Sequence, residues 1–301
     1  MLTKTNEEAL QITGLLLKHE IQAKLIQSND GFSLYNLFEV RFFLSQLNLT
    51  DDVFIISDEI WATAKRNLID RFSNSTKLEI CNNIITDFEA VNPKRKYKSD
   101  LEIFIRESKL EDFYEVNGET IYVSTIHKAK GKEFDNVYLM LENFNSATDE
   151  AMRQLYVAIT RAKRNLTIHL NSNILDNISV EKLERVEVNQ IYLPPAELVM
   201  HLTFKDIWLD YFLNKQHLIF DLSSGDTLTV KADECLNSKG QSVLKYSKKF
   251  NMQIAYLKAK NYELKSAKVN FIVYWLKDGA DQEIKIILPE LYFERISQNI
   301  S

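Results

Sequence analysis

At Thr120 the chain resumes a rhythm that it leaves near residue 31, and this interruption constrains the fold more than any other feature. Met1 to Lys4 and Ile21 to Ile26 read as short strands on either side of a helix. That helix opens on Thr5-Asn6-Glu7-Glu8, capping side chains followed by acids that suit the positive end of a helix dipole. Leu10, Ile12, Leu15, Leu16 and Leu17 continue it. Ile121-Tyr122-Val123, Val137 to Leu141 and Leu166 to Leu170 are again short apolar strands, with a helix expected over 149–164. Short buried strands alternating with helices predict a parallel sheet, because parallel strands need crossovers that cover the faces. Residues 1–31 plus 119–171 are therefore expected to form one α/β domain with helices on both faces of its sheet.

The block between them, 33–118, has a different texture. Leu34 to Leu49, Glu59 to Phe72 and Leu78 to Val91 carry apolar residues three and four apart, which predicts a helical insertion. The basic run Asn92-Pro93-Lys94-Arg95-Lys96-Tyr97-Lys98 reads as a solvated loop, with a phosphate contact as the alternative. A polar linker, 172–200, leads to a tail, 201–301. There His201 to Leu213 is an expected helix. Thr227 to Val230, Val243 to Tyr246, Val269 to Trp275 and Ile284 to Leu288 are expected strands, with a turn at Asp278-Gly279. The tail thus predicts a small β-rich, barrel-like domain. Lys245, Lys248, Lys249, Lys258 and Lys260, interleaved with Tyr246, Tyr256 and Tyr262, form its densest basic and aromatic cluster. That pattern is either a solvated face or a nucleic-acid contact.

Composition narrows the classes. The 301 residues suit about two domains, and 45% hydrophobic residues with only 7 Gly and 4 Pro exclude a disordered or glycine-rich chain. The 37 basic and 42 acidic residues give net −5, so no global basic field steers the protein to nucleic acid, although a local basic face is allowed. Cys81 and Cys235 are too few for a structural metal site and read as reduced thiols. No apolar run approaches the roughly 18 residues of a membrane span, and Met1 to Gln11 lacks a signal peptide's apolar stretch. The expected compartment is the cytoplasm, with no membrane partner.

Two segments concentrate chemistry. Ser124-Thr125-Ile126-His127-Lys128-Ala129-Lys130-Gly131-Lys132-Glu133-Phe134 follows an expected strand. It brings a hydroxyl, an imidazole, a glycine and a carboxylate to the C-terminal edge of the sheet, where open α/β sheets bind ligands. Leu155-Tyr156-Val157-Ala158-Ile159-Thr160-Arg161-Ala162-Lys163 lies on the expected helix. Met152, Leu155, Tyr156, Ile159 and Ala162 share one apolar stripe at helical spacing, and Arg161 points away from it. Such an arginine is either a solvated surface charge or a planar donor presented to a phosphate.

This pair of segments resembles motifs V and VI of the UvrD/Rep-like superfamily 1 helicases, T-x-H-x-A-K-G-x-E-F followed by Y-V-A-[ILM]-T-R-A-K. Leu2 to Ala9, Leu-Thr-Lys-Thr-Asn-Glu-Glu-Ala, resembles that family's motif IV. The resemblance implies that 1–31 plus 119–171 is the second RecA-like domain, 2A, and that 33–118 is a shortened counterpart of the inserted 2B domain. It implies ATP with Mg²⁺ in the cleft towards an N-terminal RecA-like domain, 1A, and single-stranded DNA across both. Arg161 would be the arginine finger that stabilises charge on the γ-phosphate. Lys4, Gly131 and Glu133 would lie by the nucleotide, with Glu133 on a ribose hydroxyl. Thr125 and His127 would contact DNA, positioning the strand without reading its sequence. Glu150 and Arg153 match the charged residues leading into motif VI, for which a structural role is equally open. The tail segments Phe204 to Leu209, Ser247 to Phe250 and Leu288 to Phe293 are similar to extensions on some bacterial RecQ-like helicases fused to a UvrD-like module. A DNA or protein partner is expected for this tail.

The sequence departs from the family at Lys4, which replaces an arginine and loses its bidentate geometry. Thr3 stands where an adenine-stacking aromatic is common, and Lys132 replaces the usual leucine. No G-x-x-x-x-G-K-[ST] occurs, so the loop that cradles phosphates and holds Mg²⁺ is missing, and no Walker B carboxylate pair is evident. The chain therefore reads as the C-terminal part of a longer helicase or as one subunit of a split motor. The rival reading is a non-catalytic DNA- or protein-binding module that retains a RecA-like fold. Either way the purified chain is expected to release no phosphate from ATP by itself. Sustained turnover that Arg161→Ala abolishes would contradict this.

Overall fold

The computed structural model describes residues 1–26, 32–47, 55–108, 110–113, 120–145, 147–189 and 193–296. The expected boundaries at 31 and 118–119, the Leu49 end of the first insertion helix and the side chain of Leu17 lie outside them. In chain order, β1 (Leu2–Thr3), α1 (Asn6–Lys18) and β2 (Ala23–Leu25) are followed by α2 (Phe38–Gln46), β3 (Ile55–Ile56), α3 (Asp58–Phe72), α4 (Leu78–Val91), β4 (Lys96–Tyr97) and α5 (Lys98–Glu107). Then come β5 (Ile121–Thr125), β6 (Phe134–Leu141), α6 (Asp149–Ile159) and β7 (Ala162–Leu170). The tail holds β8 (Glu197–His201), α7 (Gln216–Ile219), β9 (Thr227–Lys231), β10 (Glu234–Leu236), β11 (Ser242–Lys245), α8 (Lys248–Ala259), β12 (Tyr262–Trp275) and β13 (Ile284–Arg295). These elements form two compact units, Met1–Ser28 with Val116–Leu198, and Asn29–Glu115 with Val199–Ser301.

The first unit is a five-stranded sheet in the order β2-β5-β1-β6-β7, parallel throughout. Leu2, Val137, Leu139 and Leu141 supply its core, and Leu155 and Ala158 from α6 pack onto them. α1 lies against β2 and β5, so helices flank the sheet of this α/β unit. The start of α1 is a reciprocal cap: the Glu8 amide donates to Thr5 Oγ1 at 3.1 Å, while the amides of Lys4 and Thr5 donate to Glu8 Oε2 at 2.9 and 3.2 Å. Part of the expected linker also packs here. A Cβ on Gly14 would stand 2.7 Å from the Glu197 carbonyl, so only glycine lets the 195–197 segment cross α1 this closely.

The second unit joins the helical block to the tail. Trp61, Leu68 and Phe72 of α3, Ile84, Ile85 and Phe88 of α4, and Leu101 and Ile105 of α5 are buried together, as amphipathic spacing requires. The basic run before α5 is not wholly a loop: Lys96 and Tyr97 pair with β3, and the Lys96 ammonium lies 3.5 Å from Asp58. The tail forms a six-stranded sheet ordered β11-β10-β9-β12-β13-β8. A bridge between Ile207 and Tyr246 brings the segment after β8 onto the end of β11, curling the sheet towards closure. Gly279, at φ 78°, makes the turn of the long β12–β13 hairpin. No helix spans His201 to Leu213. The amide and hydroxyl of Thr203 both donate to the Asp206 carboxylate at 2.8 Å, closing a turn in mid-segment, and a 3₁₀ turn over Leu209–Asn214 follows.

One buried carboxylate ties the helical block to the sheet. Glu39 of α2 is 1% exposed. Its Oε1 accepts from Ser75, after α3, at 2.5 Å and from Ser224, before β9, at 3.0 Å, while Oε2 has no hydrogen-bond partner. Burial pushes the Glu39 carboxyl above its ordinary 4.5, against the pull of the two serine hydroxyls and of Lys77. A raised folded-state value means that the protonated form favours folding. Stability is therefore expected to be greatest below pH 4.5 as far as this group is concerned, and to fall as pH rises through the folded-state value. Urea unfolding at pH 5 and pH 8 should show a smaller pH difference in Glu39→Gln than in the wild type. Glu39→Ala should cost about 1–3 kcal/mol at pH 5 by orphaning both serines.

Candidate functional site

β1 and β5 end side by side, with Leu2 opposite Ser124 and Thr3 opposite Thr125. This C-terminal edge carries Lys4, Thr125 and His127. The Lys4 and His127 side chains are exposed, whereas Thr125 is only 7% exposed, and its carbonyl accepts from the amides of Lys128 and Ala129. Lys128 Nζ donates to Asn6 Oδ1 at 3.1 Å, tying the loop after β5 to the first turn of α1.

That loop does not stay at the C-terminal edge. β5 and β6 are both parallel to β1, which lies between them, so the connection has to return to the start of β6. Ile126 and Ala129 anchor the return in the core. Gly131, at φ +83° with open space around it, then turns the chain into Glu133 and Phe134. Gly131 and Glu133 therefore sit at the N-terminal edge of β6, not the C-terminal edge expected for the whole segment. Because Leu2 stands opposite Leu139, Thr3 is level with Met140, six residues along β6 from Phe134. At ~3.3 Å per residue the two edges are about 20 Å apart.

Arg161 belongs to the second edge. α6 ends at Ile159, so Arg161 is not on an outward helix face as the 100° rotation predicted; it lies in the turn that leads into β7. Its carbonyl accepts from the Phe134 amide at 2.8 Å. Its side chain folds back: Nε donates to the Val157 carbonyl at 2.9 Å, one terminal nitrogen to the Lys132 carbonyl at 3.0 Å, and the other to Thr160 Oγ1 at 3.0 Å. All three acceptors are neutral, and no carboxylate pairs with this guanidinium among the described residues. Glu133 faces Lys163 at 3.8 Å, both side chains more than half exposed. The edge thus gathers an arginine, a lysine and an unobstructed glycine, a set suited to holding one side of a polyanion, with the Glu133 carboxylate beside them as an acceptor for a hydroxyl. Among the described residues no group of three or more His, Cys, Asp or Glu could hold a metal ion.

Two further expectations are corrected. Of the expected stripe, Leu155 is buried and Ile159 and Ala162 pack against the core, with Ala158 buried beside them, whereas Met152 and Tyr156 are 46% and 69% exposed. Glu150 and Arg153 are exposed on the same helix. In the tail, Tyr246 and Tyr262 are core residues at 3% exposure each, and the Tyr246 hydroxyl lies 3.0 Å from Cys235 Sγ. Of its three tyrosines Tyr256 alone is exposed, with the Lys260 ammonium 4.6 Å above its ring, so the interleaved tyrosines do not form a stacking surface. Lys163 and the Lys132 carbonyl were not singled out as site components. The first is an ordinary surface lysine in sequence, and the second is a backbone atom that no residue type announces.

Residues 48–173 match the UvrD-like helicase C-terminal domain family. Over 110 residues the chain is 27% identical to the RecBCD enzyme subunit RecB of Chlamydia pneumoniae, an alignment covering 35% of this chain and 10% of that relative. No helix among the described residues is long and apolar enough to cross a membrane. The parallel sheet with its flanking helices and these two matches support a UvrD-like superfamily 1 helicase C-terminal module, to which residues 48–173 are similar.

Proposed function

We propose that residues 1–31 plus 119–171 act as domain 2A of a cytoplasmic ATP-dependent DNA helicase. In this reading 33–118 is a shortened 2B-like insertion, 172–200 a linker and 201–301 an added β-rich domain. The observation that carries the reading is the split of the candidate residues between two sheet edges about 20 Å apart. A motor of this kind needs two separate contacts, one with the nucleotide and one with the strand it moves along. His127, Thr125 and Lys4 would meet single-stranded DNA at one edge. Gly131, Glu133 and Arg161 would face ATP at the other, with Mg²⁺ and the phosphate cradle supplied by a 1A domain on the same or another chain. Lys4, which the motif IV resemblance sets by the nucleotide, is counted with the DNA side in this reading because its neighbour Thr3 stands opposite Thr125.

Arg161 rests on neutral acceptors beside the Gly131 turn. A triphosphate is a stronger acceptor than a carbonyl, so its approach would draw the guanidinium off Val157 and Lys132. In an assembly with a Walker A-bearing 1A domain, Arg161→Ala should lower ATP turnover by roughly 10³-fold or more. Single-stranded DNA affinity, measured by anisotropy, should hold. The same three hydrogen bonds favour a second reading, a binding module in which Arg161 only pins the loop. Unchanged turnover, together with a fall of about 1–3 kcal/mol in stability, would decide for that module.

A further inference from the structure

The second unit carries a basic and aromatic patch built from residues outside the helicase motifs. Arg71 lies in the last turn of α3, Lys285 at the start of β13, and Phe220, a residue 60% exposed, directly after α7. Hydrogen bonds fix all three. Gln216 clamps the backbone of Lys285, its Nε2 donating to the carbonyl and its Oε1 accepting from the amide, each at 2.9 Å. The Phe220 amide donates to the Gln216 carbonyl at 3.2 Å, and Arg71 donates to the Phe220 carbonyl at 3.3 Å. The guanidinium of Arg71 and the ammonium of Lys285 then lie 6.0 and 5.3 Å from the centre of the Phe220 ring.

The charges of this patch are not balanced from within. Glu283, two residues before Lys285, is held by Arg41 at 2.6 Å, and Asp221, next to Phe220, lies 3.6 Å from Lys239. Neither Arg71 nor Lys285 has an ion pair among the described residues. The Lys285 ammonium is 3.9 Å above the Phe38 ring, and burial, reinforced by Arg71, holds its pKa below the usual 10.5. A half-buried lysine and an exposed arginine kept together, neither with an ion pair among the described residues, are a prepared anion site. The exposed Phe220 ring beside them adds an aromatic face, and a phosphodiester strand offers both a charge and a base to stack.

We propose that Arg71, Lys285 and Phe220 form a single-stranded nucleic-acid site, phosphate on the two cations and a base on the ring. The inference does not rest on the motor reading, since a chain without any ATPase role would still bind the strand here. A thymine-rich 12-mer bearing 5-iododeoxyuridine tests it in the full chain. Photocrosslinking should mark Phe220. Arg71→Ala and Lys285→Gln should each weaken binding in anisotropy and reduce the slope of log affinity against log salt by about 0.7. Phe220→Ala should weaken binding roughly 5- to 150-fold with the slope unchanged. Crosslinks confined to residues 120–171 would overturn the proposal. So would an Arg71→Ala/Lys285→Gln double variant, folded by circular dichroism, with unaltered affinity and slope. Loss of binding in His127→Ala alone would likewise reject this patch, while leaving the proposal for the sheet edge intact.

Discussion

Parallel strands cannot be joined by a tight turn, and the first unit is organised around that rule. With β1 lying between β5 and β6, the loop 126–133 has to run the length of the sheet. Ile126 and Ala129 are buried along the way, and short-range amide bonds from Lys128, Ala129, Lys130 and Lys132 wind it into successive turns. Arg161 holds the far end through Lys132, and its own carbonyl receives Phe134. The loop is therefore a strut with candidate site residues at both ends. One contiguous stretch of sequence serves two places because the topology obliges it to travel.

The second unit depends on a less economical contact. Burying Glu39 with one oxygen unpartnered opposes folding. What the carboxylate supplies is direction: its other oxygen draws in hydroxyls from Ser75 and Ser224, which are far apart in sequence and belong to the helical block and the sheet. Lys77 lies close enough to contribute favourable charge, while its ammonium stacks 4.4 Å above Phe271. Greasy packing alone tolerates sliding between layers, whereas hydrogen bonds to a buried acid do not. The helical block is thereby registered on β9 and β12, so segments that read as separate in sequence share one core.

The α/β rhythm, the extents of α3 and α4 and the Asp278-Gly279 turn were legible because each follows from local periodicity or turn chemistry. The position of Arg161 was not. Helical spacing was projected through Thr160, but the Thr160 hydroxyl bonds back to the Tyr156 and Val157 carbonyls where the helix stops. Two residues past a helix end, a rotation of 100° per residue has no meaning. Tyr246 and Tyr262 misled for another reason: a tyrosine beside lysines looks solvated, yet on a strand alternate residues face inward whatever their neighbours are. Phe220, Arg71 and Lys285 share no window of sequence at all, and only tertiary packing brings them together.

The helical block leaves the first sheet after β2 and re-enters at β5, and these two strands are hydrogen-bonded neighbours, Ala23 opposite Ile121 and Leu25 opposite Val123. The doorway for the whole block is thus only a few residues wide. Closing a long excursion across a narrow gap adds little entropy penalty with each added residue. Changes of length within this excursion can therefore be absorbed at the seam while the first sheet keeps its strand order.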